Sequence, residues 1–160
     1  MSIIYTGGTF DLFHSGHVNL LKRCKELAGD WGSVIVSLNT DEFIQQYKGK
    51  PPVCSTEERT AVLESCRYVD QVVMNVGGAD SKIAIEIVKP DYIVIGSDWA
   101  KKDYYAQMGF TQDWLDDRGI GLVYVPYTQT ISTTKLKGRM QCSFLLMWFA
   151  GTRYMIMFLT

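Results

Sequence analysis

Short β-prone apolar runs alternate along this chain with longer segments whose apolar residues recur at helical spacing. The runs are Ile3 to Tyr5, Ser33 to Leu38, Gln71 to Asn75, Asp91 to Ile95 and Gly121 to Val125. After the first, the spacing predicts a helix over Val18 to Leu27 that stops near Ala28-Gly29-Asp30, because glycine tolerates the left-handed conformation that ends helices. Asn39-Thr40-Asp41-Glu42 supplies the polar start of another helix. Ser55 and Glu58 stand in capping-box register for a third, running through Arg59, Val62, Leu63 and Cys66. Helices are also expected over Ala79 to Val88, stopped by Pro90, and over Gln112 to Arg118, closed by Gly119. The repeated β-then-α order, without linker, internal repeat or low-complexity tract, predicts an α/β fold: a Rossmann-like, doubly wound parallel sheet in a single domain.

Three stretches fall outside that rhythm. Tyr47-Lys48-Gly49-Lys50-Pro51-Pro52 reads as a mobile loop carrying two lysines. Pro126 ends the last strand, and a Thr/Ser-rich turn from Thr128 to Thr134 leads to a basic helix start at Lys135-Leu136-Lys137. The domain is set at residues 1–138, leaving an apolar tail over 139–160 of unclear role. Gly151, Thr152 and Arg153 interrupt that tail, so neither half reaches the roughly 20 apolar residues that span a bilayer. Packing on the domain, or an unusual terminus, is favoured over a membrane anchor; association with a membrane is left open.

Composition narrows the function classes. With 160 residues, 47% hydrophobic and 21% charged, the chain is in the ordinary globular range. A net charge of -1 gives no basic field for a nucleic-acid backbone, so nucleic acid is not an expected partner. Cys24, Cys54, Cys66 and Cys142 lack metal-type spacing and read as free thiols. Met1 to Tyr5 leads straight into a glycine turn without a signal peptide, and a cytoplasmic location is expected.

That turn, Gly7-Gly8-Thr9-Phe10-Asp11-Leu12-Phe13-His14-Ser15-Gly16-His17, carries the chemistry. A strand-to-helix junction leaves backbone N–H groups free at the positive end of the helix dipole, which suits an anion. His14 and His17, three apart at the helix start, point to one side, and Gly16 between them leaves no side chain to keep phosphates away. Phosphates are therefore the expected ligand.

His-Ser-Gly-His is a form of the HxGH signature, and with its Gly-Thr-Phe-Asp lead-in it resembles the cytidylyltransferase branch of the nucleotidyltransferases, within it the glycerol-3-phosphate cytidylyltransferase family. Further ordered matches are Thr40 to Phe43, Glu58-Arg59, Arg67-Tyr68-Val69-Asp70, Gly96 to Trp99 and Ile131 to Lys135. The resemblance implies transfer of CMP from CTP to a phosphate monoester, with glycerol 3-phosphate as acceptor, magnesium accompanying CTP, and use in teichoic-acid-like surface polymers. It implies that His14 and His17 are catalytic together with Lys48, Lys50 and Arg59. It implies a nucleotide site of Gly8, Thr9, Phe10, Asp11, Gly16, Arg67, Asp98, Trp99, Thr128, Ile131, Ser132 and Thr133. The Arg67 to Asp70 segment would lie at a homodimer interface.

Read from the residues alone, several of these stay open. Arg67 could be a surface ion-pair residue, Arg59 a solvated helix face, Asp11 a turn residue, and Ser132-Thr133-Thr134 an ordinary helix cap. Tyr104, Tyr105 and Trp114 read as packing. The last motif departs from the family's Arg-Thr-x-Gly-Ile-Ser-Thr-Thr: Tyr127 and Thr130 stand where arginine and glycine are usual. Tyrosine returns one neutral hydrogen bond for a permanent cation, which leaves open a slow enzyme, the use of a neighbouring cation such as Lys135, or a shifted acceptor. Alternatives are an adenylyltransferase, a phosphoethanolamine cytidylyltransferase, or a non-catalytic nucleotide-binding homologue.

Overall fold

The computed structural model describes residues 1–101 and 104–140. Strands β1 (Ile3–Gly8), β2 (Ser33–Leu38), β3 (Gln71–Met74), β4 (Tyr92–Gly96) and β5 (Gly121–Val125) form one sheet in the order β3-β2-β1-β4-β5. Every pairing is parallel. The order reverses at β1, from which the chain first winds outward to β2 and β3 and later returns to β4. Open parallel sheets hold ligands at the carboxyl ends of their strands beside such a reversal.

Alternation along the strands splits the core in two, as expected of a sheet covered on both faces. Ile4, Val34, Val36, Leu38 and Val94 pack under α1 (Ser15–Ala28) and α3 (Thr56–Glu64), through Leu21, Cys24 and Leu63. Tyr5, Ile93 and Ile95 face the other way, against α4 (Lys82–Val88), α5 (Tyr104–Met108) and α6 (Gln112–Asp116). Tyr104 and Phe110 are core residues there, and Trp114 stacks on Phe110, in line with the packing reading.

Local signals place the helix ends. Gly29 closes α1 at φ 71°. Thr40 caps α2 (Asp41–Lys48) by accepting from the Phe43 N–H, and Gly49 ends it in the left-handed conformation. Ser55 and Glu58 make the capping box of α3. Ser132 caps a last helix, α7, over residues 133–140 by accepting from the Lys135 N–H.

Some boundaries differ from expectation. Lys48 is the last residue of α2, not a loop residue, because Gly49 rather than Tyr47 ends the helix. Helix α4 begins at Lys82, since Gly77 to Asp80 is held as a turn by the Asp80 N–H to Gly77 carbonyl bond. Residues Ser97 to Lys101 form a 3-10 turn. The tail beyond residue 140 lies outside the described residues, and no described helix is long and apolar enough to cross a membrane.

Candidate active site

At the start of α1 the two histidines cap the helix reciprocally. His14 is the N-cap and its Nδ1 accepts from the Gly16 N–H at 3.1 Å, while His17 Nδ1 accepts from the His14 N–H at 3.3 Å. An accepting Nδ1 carries no proton, so each neutral ring keeps its N–H on Nε2, on the far side of the ring. The rings lie 3.8 Å apart and nearly parallel, with Phe13 and Phe10 against His17. Burial lowers the pKa of His14. For His17, burial first and then the neighbouring His14 charge carry it down to about 3, against the pull of Asp11. At neutral pH the pair is two uncharged Nε2–H donors. Gly16 lines the cleft and also makes room for the imidazole, since a Cβ there would stand 2.9 Å from His14 Cε1.

The turn before α1 is bent and then held from outside. Phe10 and Leu12 have φ of 50° and 49°, a sparsely populated region for such side chains. Asp11 is 4% exposed; its Oδ1 accepts from the Val53 and Cys54 N–H groups at 3.0 Å each, and its Oδ2 pairs with Lys137 at 2.9 Å. Burial raises its pKa, but the Cys54, Lys137 and Val53 contacts outweigh this and leave it below the usual carboxylate range. Thr133 donates to the Asp11 carbonyl at 2.8 Å, and Lys48 reaches Thr9 Oγ1 at 3.2 Å. Burial lowers the Lys48 pKa.

Arg59 does not face the cleft, which corrects its expected catalytic role. A guanidinium has five N–H donors, and all are used inside the protein. Nε donates to the Cys54 carbonyl, Nη1 to the Thr9 and Asn39 carbonyls, and Nη2 to Asp41 Oδ1 and Thr56 Oγ1. At 2% exposure it is a clamp joining the phosphate turn, the end of β2 and the starts of α2 and α3. Arg67 is exposed on the turn after α3, stacked on Tyr68 at 5.1 Å, and is not among the cleft residues.

These elements surround a cleft of about 880 Å³ whose lining includes Gly8, Thr9, Phe10, Asp11, His14, Gly16, His17, Lys48 and Lys50. Asp98, Trp99, Tyr127, Thr128, Ser132, Thr133 and Lys137 line it too. A family model described as cytidylyltransferase-like matches residues 5–139. The chain belongs to the cytidylyltransferase-like family. It is 41% identical to glycerol-3-phosphate cytidylyltransferase of Bacillus subtilis over 137 residues, 86% of this chain and 95% of that protein. It is 42% identical to FAD synthase of Pyrococcus horikoshii over 95 residues, 59% of this chain and 62% of that protein. A crystal structure of the lipopolysaccharide core biosynthesis protein from Thermoplasma volcanium superposes with a TM-score of 0.63 at 28% identity, covering 82% of this chain and 99% of that one.

For a cytidylyltransferase-like chain, the changed last motif now has a geometry. Tyr127 lines the cleft, its N–H held by Ser97 Oγ at 3.1 Å, and its ring would lie 3.4 Å from a Cβ at Gly96. Lys135 is not among the cleft residues, and its Nζ donates to the Gln129 carbonyl at 2.6 Å. A further lysine in the cleft, beside Lys48 and Lys50, is Lys137, one helical turn into α7 and paired with Asp11. The sequence reading missed it, although it lies two residues beyond Lys135 in the basic helix start. Thr128 accepts from Asn19 Nδ2 at 3.0 Å. Ile131 is not a cleft residue; its Cγ2 would lie 3.5 Å from a Cβ at Gly16, so it backs the start of α1. Among the described residues, no group of three or more His, Cys, Asp or Glu side chains could hold a metal ion.

Proposed function

We propose that the protein transfers CMP from CTP to sn-glycerol 3-phosphate, giving CDP-glycerol and pyrophosphate. The observation that carries this reading is the pair of neutral, Nε2-donating histidines at the mouth of α1, in a chain that aligns over most of its length with glycerol-3-phosphate cytidylyltransferases. An oxygen of the acceptor phosphate attacks the α-phosphorus, a P–O bond forms, and the bond to the α–β bridging oxygen breaks as pyrophosphate leaves with its electron pair. A phosphate monoester has its second pKa near 6 and is mostly a dianion at pH 7, so no general base is required. Positioning and charge neutralisation remain. The two histidines hydrogen-bond phosphate oxygens as charge grows on them, and Lys48, Lys50 and Lys137 offset the charge of the triphosphate and the departing pyrophosphate.

Magnesium is proposed to arrive with CTP. When bound it would screen the triphosphate oxygens. Asp11 already has one oxygen on two backbone N–H groups and the other on Lys137, and the described residues offer no carboxylate cage, so phosphate oxygens and water would complete the ion's shell. Asp98, beside Trp99 past the end of β4, is proposed to accept from the cytosine amino group. A cytoplasmic homodimer belongs to the same reading, supported by the Arg67-Tyr68-Val69-Asp70 match. Sedimentation at 18.1 kDa, instead of twice that mass, would remove the dimer.

The partial likeness to FAD synthase favours a second reading, adenylyl transfer to another phosphate monoester. Pyrophosphate release with magnesium, crossing CTP and ATP against glycerol 3-phosphate, ethanolamine phosphate and flavin mononucleotide, separates the two. Release only with CTP plus glycerol 3-phosphate is expected; release only with ATP would replace the first reading by the second. Silence on every pair with CTP still bound would make the chain a non-catalytic binder.

A further inference from the structure

The aromatic side chains around the cleft are largely committed to other rings. Phe10 packs on His17 with centroids 5.1 Å apart, Tyr47 stacks on Phe43 at 6.0 Å, and Trp99 meets the buried Tyr104 edge-on at 5.6 Å. Tyr127 is the exception. It lines the cleft at 43% exposure and, among the described residues, stacks on no ring and has no hydrogen-bond partner for its hydroxyl. Its main chain is nevertheless fixed, because the Tyr127 N–H donates to Ser97 Oγ at 3.1 Å.

The ring stands beside a second feature of the same wall. A Cβ at Gly96 would fall 2.6 Å from Asp98 Oδ1 and 3.4 Å from Tyr127 Cδ2, so a carboxylate oxygen and an aromatic edge converge on one bare patch of backbone at the end of β4. A planar group that donates a hydrogen bond to that carboxylate is thereby brought against the tyrosine ring. Strand β5, which Tyr127 follows by two residues, is separated from β1 by β4, an offset of two strand spacings or roughly 10 Å from the strand that leads to the histidines. A nucleotide spans an offset of that order between its α-phosphorus and the exocyclic group of its base. A phenol is no cation to set against phosphate, and what it offers instead is a π face, on which a base can stack.

We infer that Tyr127 stacks on the nucleobase, so that the change from the motif's usual arginine moves binding energy in this chain from charge to stacking. This rests on the reading of the cleft as a nucleotidyl-transfer site with Asp98 toward the base. The two roles differ in a measurable way. A stacking residue contributes the same factor whatever the number of phosphates on the ligand, whereas a residue that grips phosphate contributes more as phosphates are added.

The test is calorimetric titration of the protein and its variants with CTP, CMP and tripolyphosphate, in the presence of magnesium. Tyr127→Ala should weaken CTP and CMP by about tenfold each, the two losses agreeing within about threefold, and leave tripolyphosphate unchanged. Tyr127→Phe, which keeps the π face, should bind all three ligands within about threefold of the wild type. Tyr127→Leu, which keeps the bulk without the π face, should repeat the alanine loss. A loss below about threefold in Tyr127→Ala, a loss confined to CTP, or a loss that extends to tripolyphosphate overturns the inference. So does a loss as large in Tyr127→Phe as in Tyr127→Ala, or a wild-type chain that binds tripolyphosphate but not CMP. Binding of ATP and AMP in place of CTP and CMP, still weakened about tenfold in Tyr127→Ala, would end the CMP-transfer reading and keep the inference. CDP-glycerol formation by Tyr127→Ala with an unchanged KM for CTP would do the reverse.

Discussion

The histidines work because their Nδ1 atoms are committed to the backbone. A side chain usually supplies an oxygen at an N-cap, so His14 in that role, answered by His17 three residues on, has no signal in the usual capping rules. The cap fixes both rotamer and tautomer, which leaves each neutral ring its Nε2–H as a donor. Gly16 is the dependent residue, since its missing Cβ is where the His14 ring sits. Gly16→Ala should therefore leave the melting temperature little changed, the helix preference of alanine, about 1 kcal/mol, being offset by loss of the His14 cap, while kcat falls by about tenfold or more. His14→Ala sets the scale, with an expected loss of about a hundredfold. Wild-type turnover in Gly16→Ala, read by pyrophosphate release, would mean the ring position is not critical.

Among the elements, the strands and the glycine-bounded helices were legible because each is fixed locally. The runs over Ser33 to Leu38 and Gly121 to Val125 coincide with β2 and β5, and the Ser55-Glu58 box with the start of α3. Helix α5 was not legible: five residues with aromatics at Tyr104 and Tyr105 carry no period, and only burial against Tyr5 and Phe110 orders them. The role of Arg59 was hidden for the same reason. Its motif position says that an arginine is there, but only the tertiary fold brings three carbonyls, a carboxylate and a hydroxyl around its guanidinium. Lysine has three donors and no fork, so Arg59→Lys would leave buried carbonyls and Asp41 partly unpartnered. The expected cost is about 3 kcal/mol of unfolding free energy, measured by urea denaturation, with KM for CTP rising because the Thr9 turn loosens. A loss under about 0.5 kcal/mol would show that the clamp is dispensable.

For the molecule as a whole, the shifted histidines and aspartates push in one direction with pH. His14 and His17 have folded pKa values below the ordinary 6.5, and the unfolded chain therefore takes up protons that the folded one refuses as pH falls. Asp11, Asp41 and Asp70 are also lowered, burial raising each but the contacts with Cys54 and Lys137, with Arg59 and Thr56, and with Lys25 and Val34 winning. In every case the unfolded state binds more protons, so unfolding free energy rises with pH through these windows and is complete above about 6.5. Its loss begins with the histidines as pH drops below 6.5 and extends toward 3 for His17, with the carboxylates adding below the ordinary 3.8. Between pH 7 and pH 5 the histidine part should amount to about 1–2 kcal/mol, read as a falling urea midpoint at constant slope. Activity should decline over a similar range for a separate reason, as the acceptor phosphate gains its proton near pH 6. His17→Asn separates the two effects, because it removes the His17 part of the stability slope, leaving that of His14, and leaves the acceptor's titration in kcat/KM. A wild-type urea midpoint that is flat from pH 7 to pH 5 would mean that His17 takes up its proton as readily in the folded protein as in the unfolded chain, and that burial does not hold it neutral at pH 5.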